Sequence, residues 1–235
     1  MNIYAISDLH LSGKADKPMN VFGENWEGHF DKIKEDWARK VTDDDVVLIA
    51  GDISWGMKIE EGLYDVASLS GLKGKKIFIR GNHDYWWSGI TKIRDNLPDE
   101  SFIFLQNDCV KIGKYIFVGS RGWTCPDSND FNGEEDEKIY KREGERFRLA
   151  FKAAEKLREE GDELIAMIHY PPFTGHKEDT LFSALFEEYR VSRVVFGHIH
   201  GAIYYPLECE KNGIKYYLTS CDKLGFRLKE ILHGA

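Results

Sequence analysis

Asp8 and His10 stand two residues apart in Ser7-Asp8-Leu9-His10, and His198 and His200 stand two apart in Gly197-His198-Ile199-His200. Between these pairs come Gly51-Asp52, the run Arg80-Gly81-Asn82-His83-Asp84, and His169 ahead of Tyr170-Pro171-Pro172. Carboxylate, imidazole and amide oxygen without thiolate form a donor set for borderline-hard divalent cations such as Mn, Fe, Co, Ni or Zn, unlike that of a structural zinc. In extended backbone, residues i and i+2 point the same way, so each pair is expected to grip one ion from one side. Gly51, Gly81 and Gly197 each precede a proposed ligand, where a missing Cβ permits unusual backbone angles and close approaches. A lone Asp-x-His, Gly-Asp or histidine means little. Gly-Asn-His-Asp and Gly-His-Ile-His are more specific, and five of the eight histidines fall inside these clusters.

Each cluster follows a strand-like run, at 3–6, 46–50, 76–79, 164–168 and 193–196, and further such runs lie at 102–105, 115–118 and 215–218. Helical spacing separates several of them. Trp26, Phe30, Ile33 and Trp37 share one helix face, as do Ile59, Leu63, Val66 and Leu69, then Tyr140, Phe147, Phe151 and Ala154, and finally Leu181, Leu185, Phe186 and Tyr189. This alternation predicts an α/β architecture, in which ligands bind outside the carboxyl ends of the strands, so five strand ends are expected to converge on one crevice. The segment 202–232 reads as strands joined by turns, an antiparallel portion. No repeat or Pro/Gly/Ser-rich linker divides the chain, and a single domain over 1–235 is expected. The turn-rich stretch 120–136 is long for a compact domain and is expected to cap the substrate site.

With 235 residues, 42% hydrophobic and 31% charged, the chain has the composition of a globular enzyme with a substantial core. Its longest apolar runs are far too short to span a bilayer, and the N-terminal segment lacks the basic and apolar regions of a signal peptide. Cys109, Cys125, Cys209 and Cys221 are widely spaced with no Cys-x-x-Cys pair, which suits reduced thiols and a cytoplasmic location. A net charge of −8 argues against extended nucleic-acid binding and against anionic membranes, while leaving room for a local basic pocket. It sets no oligomeric state.

Read in order, Asp-x-His, Gly-Asp, Gly-Asn-His-Asp, a histidine and Gly-His-x-His make the chain resemble the calcineurin-like metallophosphoesterases from Asp8 to His200. The resemblance implies a four-layer α/β fold, a sandwich of two mixed β-sheets flanked by helices, with two divalent metal ions at the strand ends. It implies that Asp8, His10 and His200 hold one ion, that Asn82, His169 and His198 hold the second, and that Asp52 bridges them. His83 would act on the substrate, with Asp84 orienting its imidazole. The activity implied is hydrolysis of a phosphomonoester or phosphodiester of a small molecule or nucleotide, by in-line attack of a hydroxide shared by two ions, Mn²⁺ or Fe, Zn, Ni or Co. A non-catalytic scaffold or regulatory protein of this fold would be expected to lose ligands or His83, and all are retained. Protein phosphatases of the superfamily carry Asp-Arg-Gly shortly after Gly-Asp, whereas Asp52 is followed here by Ile53-Ser54-Trp55-Gly56-Met57.

Arg121 opens the 120–136 stretch and could bind a substrate phosphate through a bidentate contact, or serve as a structural arginine. Arg80 is expected to stabilise the turn it precedes. Trp55, Trp86, Trp87 and Trp123 lie near the motifs and either pack in the core or line a pocket for a flat group. His29, His176 and His233 lack motif context and are read as non-ligands.

Overall fold

The computed structural model describes residues 1–174 and 178–234, so His176 lies outside the described residues. In chain order these form β1 (Ile3–Ile6), α1 (His29–Lys40), β2 (Val46–Ile49), α2 (Ile59–Ala67), β3 (Lys75–Phe78), α3 (Ile90–Arg94), β4 (Phe102–Phe104), β5 (Asp108–Ile112), β6 (Tyr115–Ser120), α4 (Gly133–Glu155), β7 (Glu163–Ile168), α5 (Leu181–Glu188), β8 (Val191–Phe196), β9 (Glu208–Lys211), β10 (Ile214–Leu218) and β11 (Lys229–Leu232).

The strands make two mixed sheets, ordered β11-β1-β2-β3-β4 and β5-β6-β7-β8-β10-β9. Their central strands are parallel and buried on both sides, which is why the sequence shows unbroken apolar runs instead of alternation. The two-residue period still divides the side chains. Ile3, Ala5, Val46, Leu48 and Ile77 point inward against Phe117, Ile165, Met167 and Val195 of the other sheet. On the outer faces, Tyr4, Ile6, Val47 and Ile49 pack with Ile33, Trp37 and Val66, while Ile116, Leu164, Ala166 and Val194 pack with Phe147, Phe151, Phe182 and Phe186. Helix, sheet, sheet and helix therefore form four layers, as expected.

The antiparallel C-terminal portion splits between the sheets. Asn212 and Gly213, at φ 52° and 79°, turn β9 back onto β10, the Asn-Gly pairing of a type I′ hairpin. β11 instead crosses to pair antiparallel with β1. The 120–136 stretch is shorter than expected, because Ser120 ends β6 and Gly133 begins α4. Glu134, Glu135 and Asp136 complement the positive end of the α4 dipole. Among the described residues, no helix is long and apolar enough to cross a membrane.

Candidate metal centre

Beyond the last residue of β1 the chain stays alongside the end of β2, but not as extended strand. Asp8 N–H donates to Gly51 O at 2.9 Å, His10 N–H to Asp52 O at 3.0 Å and Leu11 N–H to Ile53 O at 2.9 Å. Within this ladder Asp8, His10 and Asp52 have φ of 58°, 45° and 52°, and His198 has φ of 73°. The i, i+2 pairs thus converge by left-handed steps, a correction to the expectation of strand alternation. Left-handed backbone at non-glycine residues costs on the order of 1–3 kcal/mol each and persists only where the surroundings impose it. Four such residues on one cluster mark it as a site held under strain.

The cluster has two overlapping groups. Ligand atoms of Asp8, His10 and His200 lie within 4.8 Å of one another, as do those of Asp8, Asp52 and His169. His200 Nε2 is 3.1 Å from Asp8 Oδ1, His10 Nε2 is 3.8 Å from Asp52 Oδ2, and His169 Nε2 is 3.4 Å from Asp52 Oδ2. Asn82 Oδ1 lies 2.8 Å from His169 Nε2 and 2.9 Å from His198 Nδ1. All seven side chains named in the sequence meet here, and Asp8 touches both groups. Glycine is required at the contact points: a Cβ on Gly81 would sit 2.1 Å from Asp52 Oδ1, and one on Gly197 would sit 2.3 Å from Ser7 Oγ.

An outer set of acceptors fixes the rings. His169 Nδ1–H donates to Ala50 O at 2.9 Å, and His200 Nδ1–H donates to Asp222 Oδ1 at 2.9 Å, so both imidazoles present Nε2 to the centre. Asp222 is not among the residues that the sequence motifs single out. It follows the strand-like run 215–218 just as the other clusters follow theirs, and that position was the available signal. Its neighbour Cys221 donates its thiol to Asp8 O at 3.0 Å, and Ser7 Oγ donates to Asp8 Oδ2 at 2.5 Å.

Asp8 and Asp52 are almost fully buried. Burial alone would raise both carboxyls, yet His200 beside Asp8 and His169 beside Asp52 hold them below the usual range. Burial opposes a charge on His169 and His200, but Asp52 lifts the first to about 9, and Asp222 with Asp8 lifts the second to about 10. His10 and His198 fall to about 4, chiefly through burial. Buried carboxylates thus face protons held on imidazoles whose Nε2 atoms would otherwise be free lone pairs. A divalent cation supplies the same positive charge with better geometry, and this all-oxygen-and-nitrogen donor set fits one.

His83 borders the cluster, its ring 4.7 Å from Trp55 and 5.7 Å from His10, and its backbone N–H donates to Asp52 Oδ1 at 2.8 Å. Asp84 does not orient it. The Asp84 carboxylate accepts from Gly81 N at 2.8 Å, Ile53 N at 2.8 Å, Ser54 N at 3.1 Å and Trp86 Nε1 at 2.9 Å. His83 Nδ1 has no hydrogen-bond partner among the described residues. Asp84 is therefore spent on tying the 81–84 turn to the segment after Asp52, and its burial near Asp52 pushes it up to about 6.

The Arg121 guanidinium lies 3.6 Å from the buried Glu143 carboxylate of α4 and 4.5 Å from the Trp123 ring centre. Its carbonyl accepts the His169 N–H at 3.0 Å. Among the described residues, Arg121 has structural partners and no side-chain contact that directs it at the cluster. Trp86 and Trp87 pack in the core. Trp55 does both things, stacking on His10 at 4.7 Å and 20° while lining a cleft. That cleft, about 460 Å³, is walled by Met19, Phe22, Trp26 and Trp55 and floored by His10, His83 and His200. The segment before α1 therefore covers the centre, and none of the residues lining the cleft comes from 120–136. Trp26 leaves the expected helix face because α1 starts only at His29, after Gly28 at φ 61°. His29 bridges Leu9 O and Trp26 O at 2.9 and 3.1 Å, and His233 pairs with Glu230.

The model of the family "Calcineurin-like phosphoesterase" matches residues 1–202. No curated protein matches the chain. Among solved structures, the chain is similar to TT1561 of Thermus thermophilus, at TM-score 0.60 and 11% identity over 97% of this chain and 96% of that one. It is also similar to the phosphopantetheinyl hydrolase PptH of Mycobacterium tuberculosis, at TM-score 0.56 and 14% identity over 99% and 96%. A third likeness, to the protein of unknown function AQ665 of Aquifex aeolicus, has TM-score 0.50 and 13% identity over 97% and 95%. At these identities the structures show a shared fold. The family match takes in every converging side chain from Asp8 to His200, and the chain belongs to the calcineurin-like phosphoesterase family.

Proposed function

We propose that this chain is a metal-dependent phosphoesterase acting on a phosphomonoester or phosphodiester of a small molecule or nucleotide. The observation that carries the reading is the pair of overlapping, buried carboxylate–imidazole groups that share Asp8. Asp8, His10 and His200 would hold one divalent ion, Asn82, His169 and His198 a second, with Asp52 between them. Bound there, two such ions would supply an acidified water and would neutralise charge on phosphoryl oxygens.

The chain's own residues do the rest. Ala50 O and Asp222 hold the His169 and His200 tautomers, so Nε2 of each needs no reorientation on binding. His83 sits where cluster and cleft meet, within reach of a leaving oxygen, to which its imidazole donates a hydrogen bond or proton. Trp55 and Trp26 wall the cleft that borders the cluster. Ser7 and Cys221, which contact Asp8, are both fully buried and cannot reach a substrate, and no covalent phosphoenzyme is expected.

The test is a panel with added Mn²⁺: p-nitrophenyl phosphate, bis-p-nitrophenyl phosphate, 2′,3′- and 3′,5′-cyclic nucleotides, a phosphopeptide and a phosphopantetheinyl ester. The last belongs there because one protein of the same fold is named a phosphopantetheinyl hydrolase. Turnover of at least one ester is expected. Inactivity on all, with metal bound, would overturn the reading in favour of a scaffold.

A further inference from the structure

The cleft of about 460 Å³ beside the metal centre is asymmetric in two ways. It opens on only one lobe of the cluster: His10 and His200 line it, while Asn82, His169 and His198 do not. It also changes character within a side chain's length of that floor. Above His10, His83 and His200 the walls are Met19, Phe22, Trp26 and Trp55, with Asn25 as an amide and Asp222 already committed to His200.

The wall residues are built to face it. Trp26 and Trp55 are 5% and 9% exposed, and Trp55 is fixed by its stack on His10 and by an Nε1–H contact of 3.1 Å to Met19 Sδ. Phe22, by contrast, is 65% exposed at the mouth. A large aromatic side chain held in solvent beside two nearly buried tryptophans offers apolar surface without gaining burial of its own. An apolar body entering the cleft would cover that surface. A polyol entering it would strip water from hydroxyl groups that find little beyond Asn25 as a partner.

Resting on the phosphoesterase reading, we infer that this cleft receives the organic group of the ester, and that this group is an apolar aromatic or alkyl body, not a sugar or polyol. The placement follows from the chemistry of the centre. With the phosphoryl group held by the cluster, an in-line reaction sends the leaving oxygen away from the nucleophile, and His83, which serves that oxygen, lines the cleft. The ester bond broken is P–O; the alcohol departs with one proton and water supplies the oxygen gained by phosphorus.

The experiment compares benzyl phosphate with glycerol phosphate, whose leaving alcohols are of similar acidity, in the Mn²⁺-loaded protein. The second readout is tryptophan-fluorescence titration with benzylphosphonate and methylphosphonate, which are not hydrolysed. Benzyl phosphate is expected to have the higher kcat/KM, and benzylphosphonate to bind about tenfold or more tighter than methylphosphonate. Phe22→Ala, at an exposed position that folding does not need, should lower the benzyl-to-glycerol ratio by roughly tenfold, the size of one lost apolar contact. Leu149→Ala, an exposed apolar residue on α4, should leave that ratio unchanged. Equal kcat/KM on the two esters with equal phosphonate affinities overturns the assignment while the phosphoesterase reading stands. If neither monoester is turned over, the panel of esters decides the phosphoesterase reading, and the phosphonates alone decide the cleft: selective binding supports it and equal binding overturns it.

Discussion

Asp222 accepts the Nδ1–H of His200 at 2.9 Å and thereby turns Nε2 of the same ring toward Asp8, 3.1 Å away. It also accepts the Gly201 N–H at 2.9 Å, pinning the loop that carries the ring. A carboxylate behind a ligating imidazole typically contributes 10- to 100-fold to metal affinity. Asp222→Ala is therefore expected to weaken one of two Mn²⁺-binding steps by about that factor and to leave the other near wild type. Titration against a competing chelator checks this, and two unchanged affinities would remove Asp222 from the site.

The same logic separates Asp84 from His83. Asp84→Ala strands the buried donors of Gly81, Ile53, Ser54 and Trp86, and should cost about 3 kcal/mol or more of stability in urea denaturation. His83→Ala removes no such network. It should keep fold and metal and lose about 10²- to 10⁴-fold in turnover. An Asp84→Ala protein of native stability with the kinetics of His83→Ala would restore the orienting role that the structure denies.

Away from the centre, Asp36 gives a pH test of the fold. It is 3% exposed and accepts the Leu228 N–H at 2.9 Å, Lys40 Nζ at 2.8 Å and the Arg39 guanidinium. Burial alone would raise its pKa, but Lys40, Leu228 N–H and Arg39 outweigh burial and hold it below the ordinary carboxylate range. The stabilisation is thus complete above the unfolded value of about 4 and is lost as pH falls through the lower, folded value. Asp36→Asn should be about 1–3 kcal/mol less stable at pH 7, with the gap closing below about pH 4. A gap that stays constant down to about pH 3, below the ordinary carboxylate range, would contradict this.

These residues show what could be read from the sequence. Both-faces burial of parallel strands leaves unbroken apolar runs, so β1, β2, β7 and β8 and the polar clusters at their tips stand out. Asn212-Gly213 announces its hairpin because few other pairs tolerate two positive φ angles in succession. Side-chain direction inside a turn is another matter. Asp84 follows His83 in sequence, yet the turn sends its carboxylate to backbone donors on a neighbouring loop. The left-handed Asp8, His10, Asp52 and His198 are invisible to a rule built on extended backbone. Trp26 fits a helix face by spacing, and only the late start of α1 frees it to wall the cleft. Asp222 and the buried partner of Arg121 depend on contacts across 22 positions, which a single sequence does not display.

The central claim is that phosphoester hydrolysis depends on divalent ions held around Asp52. The direct measurement is kcat/KM on an ester that the panel shows to be turned over, as Mn²⁺ is restored to metal-stripped protein, for wild type and Asp52→Asn. Wild-type activity should be absent without metal and rise as two ions bind per chain. Asp52→Asn should bind less and lose on the order of 10²-fold or more, the scale of a lost charge-stabilising group. Activity that survives complete removal of metal, or an Asp52→Asn protein with wild-type stoichiometry and turnover, would contradict the account.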